Sequence, residues 1–417
     1  MIRKIFGTTL TRISGAIMSF GILVINAREL GAENVGIISL IILAVSLTLL
    51  VSNFMGGGAL VYLVPRHDIF QLLFICYSWT FLASVMCAVL LDNFGLIPEG
   101  YTLHVMLLSL FQGLYGTNTG VLLGKEKIRS FNIISLLQII ILFGFVLYFI
   151  QFGKHNEVIW YVYALYVSYI SAFVFSMISI NKHLKISGFD NIETIITESL
   201  KYGAYVQMAA IAQMLNYRLS YYILERYFGK STLGVFSVGT QISESVWLVG
   251  KSIATVQYSV ISNHPDPEKS IKLTLSLLKL VFVITFLMIF VMILIPQAWY
   301  VLLLRKDFSE ITTIILYLSP GIVAMAVSMM LSHYFSGTGR HYHNSVSSGI
   351  GLVITLVSGL ITIPLLGITG AAITASISYT TSALYLLIVF LKISKVKIRE
   401  LLVSGNDITN LLSLVKK

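Results

Sequence analysis

Twelve long apolar stretches divide the sequence, and each is about long enough to cross a bilayer as a helix. A spanning helix needs about 20 mostly apolar residues, because the hydrocarbon layer is about 30 Å thick. The stretches lie at residues 5–27, 36–64, 69–91, 101–123, 131–150, 158–180, 201–223, 234–261, 273–295, 311–335, 344–364 and 367–391. The connections between them are short. We therefore predict an all-α polytopic membrane protein, with about 12 transmembrane helices in two six-helix lobes around a central cavity.

The composition excludes a soluble globular protein. Of the 417 residues, 57% are hydrophobic and 11% are charged, which is more apolar surface than a soluble domain of this size can bury. The net charge of +10 is spread over short clusters between the spans, so it indicates topology and not a nucleic-acid partner. Cys76 and Cys87 share one span and the histidines have no acidic neighbours at ligand spacing, so neither a metal nor another cofactor is expected.

The distribution of Lys and Arg predicts the orientation. With a cytoplasmic N-terminus, eighteen of these residues lie in the cytoplasmic connections and tails and six lie outside. Cytoplasmic loops carry the excess of Lys and Arg, so both termini are predicted to be cytoplasmic. Residues 392–417 form a basic, partly amphipathic tail, which we expect to lie on the anionic inner leaflet.

The two halves of the chain resemble one another at two turns. Residues Leu30 to Gly36 and Phe228 to Gly234 share the pattern apolar-Gly-x-x-x-apolar-Gly, and each joins the first two spans of a predicted half. A weaker similarity relates Gly124 to Asn132 with Gly337 to Asn344. These matches indicate an internal duplication of six spans, with an N-terminal lobe at 1–190 and a C-terminal lobe at 191–391.

The eighth span, Gly234 to Val260, carries a charged and polar stripe. The stripe follows steps of three and four residues, which place its members on one helix face: Ser237, Gln241, Glu244, Leu248, Lys251 and Thr255. Charged side chains are costly against lipid, so this face is predicted to line protein interior or a wet cavity. A buried structural ion pair is the alternative, although Glu244 and Lys251 lie about 10 Å apart along the axis.

Other spans contain further polar side chains. In the first span, Arg12 lies about 10 Å from the cytoplasmic end, so lining a cavity and snorkelling to the headgroups are equally compatible with its position. The seventh span holds Gln207, Gln213, Asn216 and Arg218. Arg218 lies about 10 Å below the outer surface, a position from which it can snorkel, but the neighbouring amides favour a cavity wall.

The turn NARELGAENVGIISL (Asn26 to Leu40) resembles the signature of Wzx-type polysaccharide flippases, and ERYFGKSTLGVFSVGTQISE (Glu225 to Glu244) resembles the entry to their eighth span. That family belongs to the superfamily of lipid II flippases and multidrug and toxin extruders, and the resemblance extends over essentially the whole chain. One departure concerns ion coupling. Many relatives have an acidic residue in the seventh span, near the position where this chain has Arg218 and Ser220.

The resemblance implies a transporter of the bacterial cytoplasmic membrane. Its substrate would be an undecaprenyl-pyrophosphate-linked oligosaccharide, flipped by alternating access, with proton or sodium coupling and a polysaccharide polymerase as a further partner. We assign Glu244 to ion coupling because it is the one carboxylate deep in a predicted span. The predicted substrate-binding residues are Arg12, Asn26, Arg28, Asn53, Gln207, Asn216, Arg218, Gln241 and Lys251.

Two other functions fit the sequence less well. A multidrug or metabolite antiporter of the same superfamily would favour acidic residues for cationic substrates, whereas the deep charges here are three cations and one carboxylate. A membrane polysaccharide polymerase or ligase would need a sizeable outer loop with catalytic groups, and the outer connections are short. The sequence also lacks paired carboxylates and a nucleophile elbow, so we do not expect an enzyme.

Overall fold

Long helices account for most of the chain. The computed structural model describes residues 2–57, 60, 63–149, 157–182, 184, 188, 192–263 and 266–401, and the side chains of residues 2–10, 12 and 202–206 fall outside that description. The α-helices are α1 Ile2–Ser52, α2 Ile69–Asn93, α3 Thr102–Gly124, α4 Ile128–Leu147, α5 Val158–Asn181, α6 Ile192–Glu244, α7 Trp247–Asn263, α8 Pro267–Leu294, α9 Gln297–Leu303, α10 Ile311–Gly337 and α11 Tyr342–Ser394.

The hydropathy of these helices confirms a multi-pass membrane protein. Within the described residues, seven helices are long and apolar enough to cross a membrane, and two of them, Ile13–Ser52 and Tyr342–Ser394, are long enough for two crossings each. The three predicted spans outside this set lie in α3, α6 and α7. They are less apolar because they carry buried polar residues, among them Asn118, Asn216 and Gln257.

Two of the longest helices are interrupted at the glycines of the first repeated turn. Gly31 in α1 has φ 77° and ψ 173°, and Gly229 in α6 has φ 80° and ψ 177°. This region of backbone space is essentially restricted to glycine. Helical residues lie directly on both sides of each glycine, so each predicted loop is reduced to a single-residue break. The near-identical dihedral angles support the predicted duplication.

The second repeated turn shows a similar agreement. Helices α3 and α10 end at Gly124 and Gly337, and each is followed two residues later by a residue with positive φ, Glu126 at 57° and Gly339 at 76°. A Cβ atom on Gly124 would lie 2.7 Å from Val64, and one on Gly337 would lie 2.8 Å from Ile261. Each glycine therefore permits close packing against the end of an earlier predicted span.

Gly229→Ala should destabilise the protein through backbone strain alone. A Cβ atom there would meet nothing within 4 Å, so the expected loss of about 1–3 kcal/mol comes from the disfavoured dihedral angles. Gly349→Ala is the matched control. Gly349 lies inside α11, again with nothing within 4 Å of an added Cβ, and alanine there should be neutral or stabilise by up to ~1 kcal/mol. Unfolding of both purified variants in detergent measures the difference, and equal stabilities would contradict the strain argument.

The helices depart from the predicted spans in three places. The second span was predicted to reach residue 64, but α1 ends at Ser52 and the chain turns through Asn53 to Gly57, where Gly57 has φ 56°. The eighth span is interrupted between Glu244 and Trp247. The short helix α9 was not predicted, because seven residues are too few for a recognisable periodicity.

The chain divides into two compact units. Unit one comprises Met1–Ile211 with Leu303–Asp307, and unit two comprises Ala212–Leu302 with Phe308–Lys417. In unit one, α3 packs against α2 and α5, while α4 packs against α1 and α5. In unit two, α10 packs against α7, α8 and α11. The predicted lobe boundary near residue 190 and the central cavity remain predictions.

Candidate functional site

An ion pair within unit two joins two of the predicted site residues. Arg218 Nη1 donates to Glu244 Oε1 at 2.9 Å, and Nη2 donates to Oε2 at 2.6 Å. The two residues lie 26 positions apart on α6, which is about 39 Å in an uninterrupted helix. They meet because the chain folds back at the Gly229 break. The contact is bidentate, which is the strongest geometry between an arginine and a carboxylate.

This pair is largely shielded from solvent. The Arg218 and Glu244 side chains are 20% and 13% exposed, and the Arg218 guanidinium carbon lies 5.1 Å from the centre of the Tyr221 ring. In such surroundings neither ion is stable alone, because its hydration is mostly lost and only its partner compensates. The pair therefore stabilises unit two only while both members are present and charged.

The helix break beside Glu244 is held in place by a buried indole. Helix α6 ends at Glu244 and α7 begins at Trp247. Trp247 is 3% exposed, and its Nε1 donates to the Ile322 carbonyl oxygen of α10 at 3.0 Å. The Glu244 carboxylate therefore lies at the C-terminal end of α6, next to the break that separates α6 from α7 within the predicted eighth span. Interrupted helices in membranes are tolerated where protein or water satisfies the freed backbone groups.

The stripe of the eighth span faces outward from unit two. Gln241, Leu248, Lys251 and Thr255 are exposed and Glu244 is partly exposed, whereas Ser237 is buried. The apolar residues on the other face, such as Val238 and Val246, are buried. A helix facing lipid shows the opposite arrangement, so this face is expected to meet water. Lys251 is exposed, and Glu244 pairs with Arg218. The alternative of a buried Glu244–Lys251 ion pair is therefore wrong.

Three aromatic rings lie next to the ion pair. Tyr217, Trp247 and Tyr379 pack with ring centres 5.4 to 5.8 Å apart, and Lys251 Nζ lies 6.0 Å from the Trp247 ring. Gln213 Nε2 donates to the Tyr217 hydroxyl at 3.0 Å. The Tyr379 hydroxyl is buried and has no hydrogen-bond partner among the described residues. Sequence analysis missed these rings, because only folding brings Tyr379 of α11 beside α6.

Asn216 joins three helical segments. It is 2% exposed, and its Oδ1 accepts hydrogen bonds from Thr355 Oγ1 at 2.8 Å and from Ser378 Oγ at 2.5 Å. Thr355 and Ser378 lie on opposite sides of the Gly367 break in α11. The contacts that the structure shows for this side chain are therefore structural ones within unit two.

The other predicted site residues are dispersed. Gln241 Nε2 donates to the Ser237 carbonyl oxygen at 3.2 Å. In unit one, Asn26 is buried and its Oδ1 has no partner among the described residues, while Gln207 is also buried. Arg28 is exposed and lies 4.0 Å from Glu29, and Asn53 is half-buried in the turn after α1. Arg12 lies in α1, but its side chain is outside the described part of the structure.

Over the described residues, no group of three or more His, Cys, Asp or Glu side chains is arranged to hold a metal ion. The arrangement instead offers guanidinium, ammonium and amide donors along a polar surface. Such groups bind phosphates and hydroxyl-rich ligands.

Part of the chain is similar in sequence to a protein of capsular polysaccharide biosynthesis. No protein-family model matches the chain. Over 167 residues it is 29% identical to the capsular polysaccharide biosynthesis protein CapF of Staphylococcus aureus. That match covers 39% of this chain and 42% of CapF, so the chain matches less than half the length of this relative.

Solved structures share the fold over nearly the whole chain. The inward closed conformation of the lipid II flippase MurJ superposes with a TM-score of 0.74 at 15% identity, covering 96% of this chain and 89% of that one. An inward-facing multidrug resistance MATE family transporter of the MOP superfamily gives a TM-score of 0.71 at 14% identity, with 93% and 98% covered. A MOP superfamily transporter from Pyrococcus furiosus gives 0.66 at 15% identity, with 94% and 95% covered. The predicted fold is confirmed: the chain has the architecture of the MurJ and MATE transporters.

Proposed function

We propose that this chain is a flippase that turns an undecaprenyl-pyrophosphate-linked oligosaccharide from the inner to the outer face of a bacterial cytoplasmic membrane. The fold is that of a lipid II flippase and of MATE transporters, and a partial relative is named for capsular polysaccharide biosynthesis. The carrying observation is the exposed face of α6 and α7, on which Gln241 lies before the Arg218–Glu244 pair and Lys251 and Thr255 lie after it. In a membrane helix, such a stripe serves a polar cargo and not lipid.

The physical task is to carry a pyrophosphate and several sugars past about 30 Å of hydrocarbon. Arginine and lysine replace the water and counterions around a phosphate. In this proposal Arg218 and Lys251 supply that charge, together with Arg12 and Arg28. The amide side chains assigned to the sugar or phosphate are Asn26, Asn53, Gln207 and Gln241, whereas Asn216 links Thr355 and Ser378 within unit two. The lipid tail remains in the bilayer while the two units alternate in access.

The ion pair supplies a route for coupling. The pyrophosphate competes with Glu244 for Arg218, because both present oxygen anions to the same guanidinium fork. Once displaced, Glu244 loses its cation and takes up a proton or a sodium ion, since an unpaired carboxylate is costly at this depth. Release of the cargo on the outer face restores the pair. Both termini are cytoplasmic in this scheme, and a polysaccharide polymerase receives the product.

A deletion strain tests the proposal. Loss of the gene should abolish the surface polysaccharide and cause lipid-linked oligosaccharide to accumulate on the inner face of the membrane, where a membrane-impermeant glycosidase cannot reach it. Complementation with the unaltered gene should restore both. Normal surface polysaccharide in the deletion strain, with no accumulated precursor, would refute the proposal.

An antiporter for drugs or metabolites is the second candidate, because MATE transporters share the fold over 93% of this chain. The two functions differ in the charge of the cargo. Vesicles containing the purified protein should not accumulate cationic dyes when a proton or sodium gradient is imposed, since the exposed cation Lys251 repels them. Gradient-driven dye uptake would favour the antiporter.

A further inference from the structure

A cavity lies within unit two, apart from the ion pair. It has a volume of about 470 Å³ and is lined by residues of α8, α10, the second half of α11 and the short 3₁₀ helix Ile398–Leu401. Thirteen residues line it, and all but Lys279 and Thr380 are apolar. Its size falls within the range of small-molecule sites. Because the surrounding helices are membrane spans, a cavity with this lining suits a hydrocarbon chain.

A proline shapes one wall of this cavity. Pro320 lies in the interior of α10, where it has no backbone N–H to donate to the Leu316 carbonyl oxygen. Ser319 Oγ donates to that oxygen at 2.7 Å and so satisfies it. The Pro320 ring itself lines the cavity.

The cavity begins close to one membrane surface. Leu387 and Thr380 line it, and they lie seven and fourteen residues before the end of α11 at Ser394, about 10 and 21 Å along the axis. At the nearer end, Ile398 and Leu401 from the tail complete the lining. The cavity thus extends from the interface towards the middle of the bilayer, in the direction of an acyl chain.

Positive charge is concentrated at that same end. Lys279 lines the cavity, and the tail beside Ile398 carries Lys395, Lys397 and Arg399, all exposed. Glu400 is the acidic side chain of this segment, and its Oε1 accepts from the Lys397 backbone amide at 3.1 Å. The apolar cavity matches the acyl chain of an anionic lipid, and the basic residues at its end match the charged headgroup.

We infer that this cavity binds an anionic phospholipid, with one acyl chain between α8, α10 and α11 and the phosphate against Lys279 and the basic segment Lys395 to Arg399. The bound lipid holds the protein segment Lys395 to Leu401 against α8, α10 and α11 of unit two. This inference depends on the membrane placement of the helices and not on the proposed substrate, so it can fail or stand independently of the flippase assignment.

Native mass spectrometry of the protein released from phosphatidylglycerol–phosphatidylethanolamine bilayers tests this site. The unaltered protein should retain one phosphatidylglycerol. Val323→Phe, which fills the cavity, should reduce retention at least tenfold, whereas Val291→Phe, on the exposed face of α8, should leave it unchanged. Lys279→Gln should weaken phosphatidylglycerol binding about fivefold, the effect of one basic residue near a membrane surface, and Lys279→Arg should restore it.

Two further measurements distinguish other occupants. A photo-crosslinker at Val327 should capture lipid; capture of the chain's own residues 402–417 would overturn the inference. Undecaprenyl phosphate added to the same bilayers should compete no better than phosphatidylglycerol. Preferential displacement by undecaprenyl phosphate would show a site for the substrate's lipid instead. Unchanged lipid retention in both Val323→Phe and Lys279→Gln would exclude lipid binding in this cavity.

Discussion

Arg218→Ala should both destabilise the protein and abolish flipping. The substitution leaves Glu244 without its cation, at 13% exposure and beside packed aromatic rings. Removing one partner of a buried ion pair costs up to ~3–5 kcal/mol, because the remaining charge is uncompensated. Unfolding in detergent measures the first effect. Accumulation of lipid-linked precursor in a complemented deletion strain measures the second.

A second substitution separates these two effects. In Arg218→Ala/Glu244→Gln the stranded carboxylate is gone, so most of the lost stability should return. Flipping should remain absent, because the proposed contact to the pyrophosphate is still missing. If the double variant recovered both stability and flipping, Arg218 would have only a structural role.

Glu244→Gln should uncouple transport from the ion gradient. The amide has nearly the same shape and can still accept a hydrogen bond from Arg218, but it cannot take up a proton or balance the guanidinium charge. In proteoliposomes, flipping of a lipid-linked oligosaccharide should therefore stop responding to an imposed proton or sodium gradient. At saturating substrate, the gradient-stimulated part of the rate should fall at least tenfold.

Glu310→Gln provides the matched control for this experiment. Glu310 precedes α10, is exposed, and makes no side-chain capping hydrogen bond, so the same chemical change there should leave the gradient response intact. A full response in Glu244→Gln would remove Glu244 from the coupling mechanism. Loss of response in both variants would indicate a general effect of acidic residues on the surface potential.

The sequence located the turns at Gly31 and Gly229 because glycine marks positions that need unusual backbone angles. The pattern shared by the turns at Gly31 and Gly229 predicted corresponding positions, and both glycines adopt backbone angles that other residues avoid. The sequence predicted a loop of several residues at each position, whereas only Gly31 and Gly229 depart from helical geometry there. It did not predict the end of α1 at Ser52, since the apolar residues continue beyond it while the chain turns at Gly57.

The sequence grouped polar residues of the eighth span on one helix face, but it did not predict which of them form an ion pair. Helical spacing placed Gln241, Glu244 and Lys251 on one face, and the structure exposes that face. The same spacing offered only Lys251 as a partner for Glu244 within its own span. Arg218 was assigned to an anionic ligand, whereas the structure joins it to Glu244. Such pairing depends on which faces of two helical segments pack together, and that information is not contained in the periodicity of either segment.

The sequence by itself determined that this chain lies in a membrane, that corresponding turns fall at Gly31 and Gly229, and which spans carry polar groups. These properties follow from composition and local backbone preference, which act within a few residues of each position. Only the tertiary structure decided that Arg218 neutralises Glu244, that Tyr379 packs beside them, and that α8, α10 and α11 line an apolar cavity. Those contacts join residues far apart in the chain, and helix packing selects them from many arrangements that the same local pattern permits.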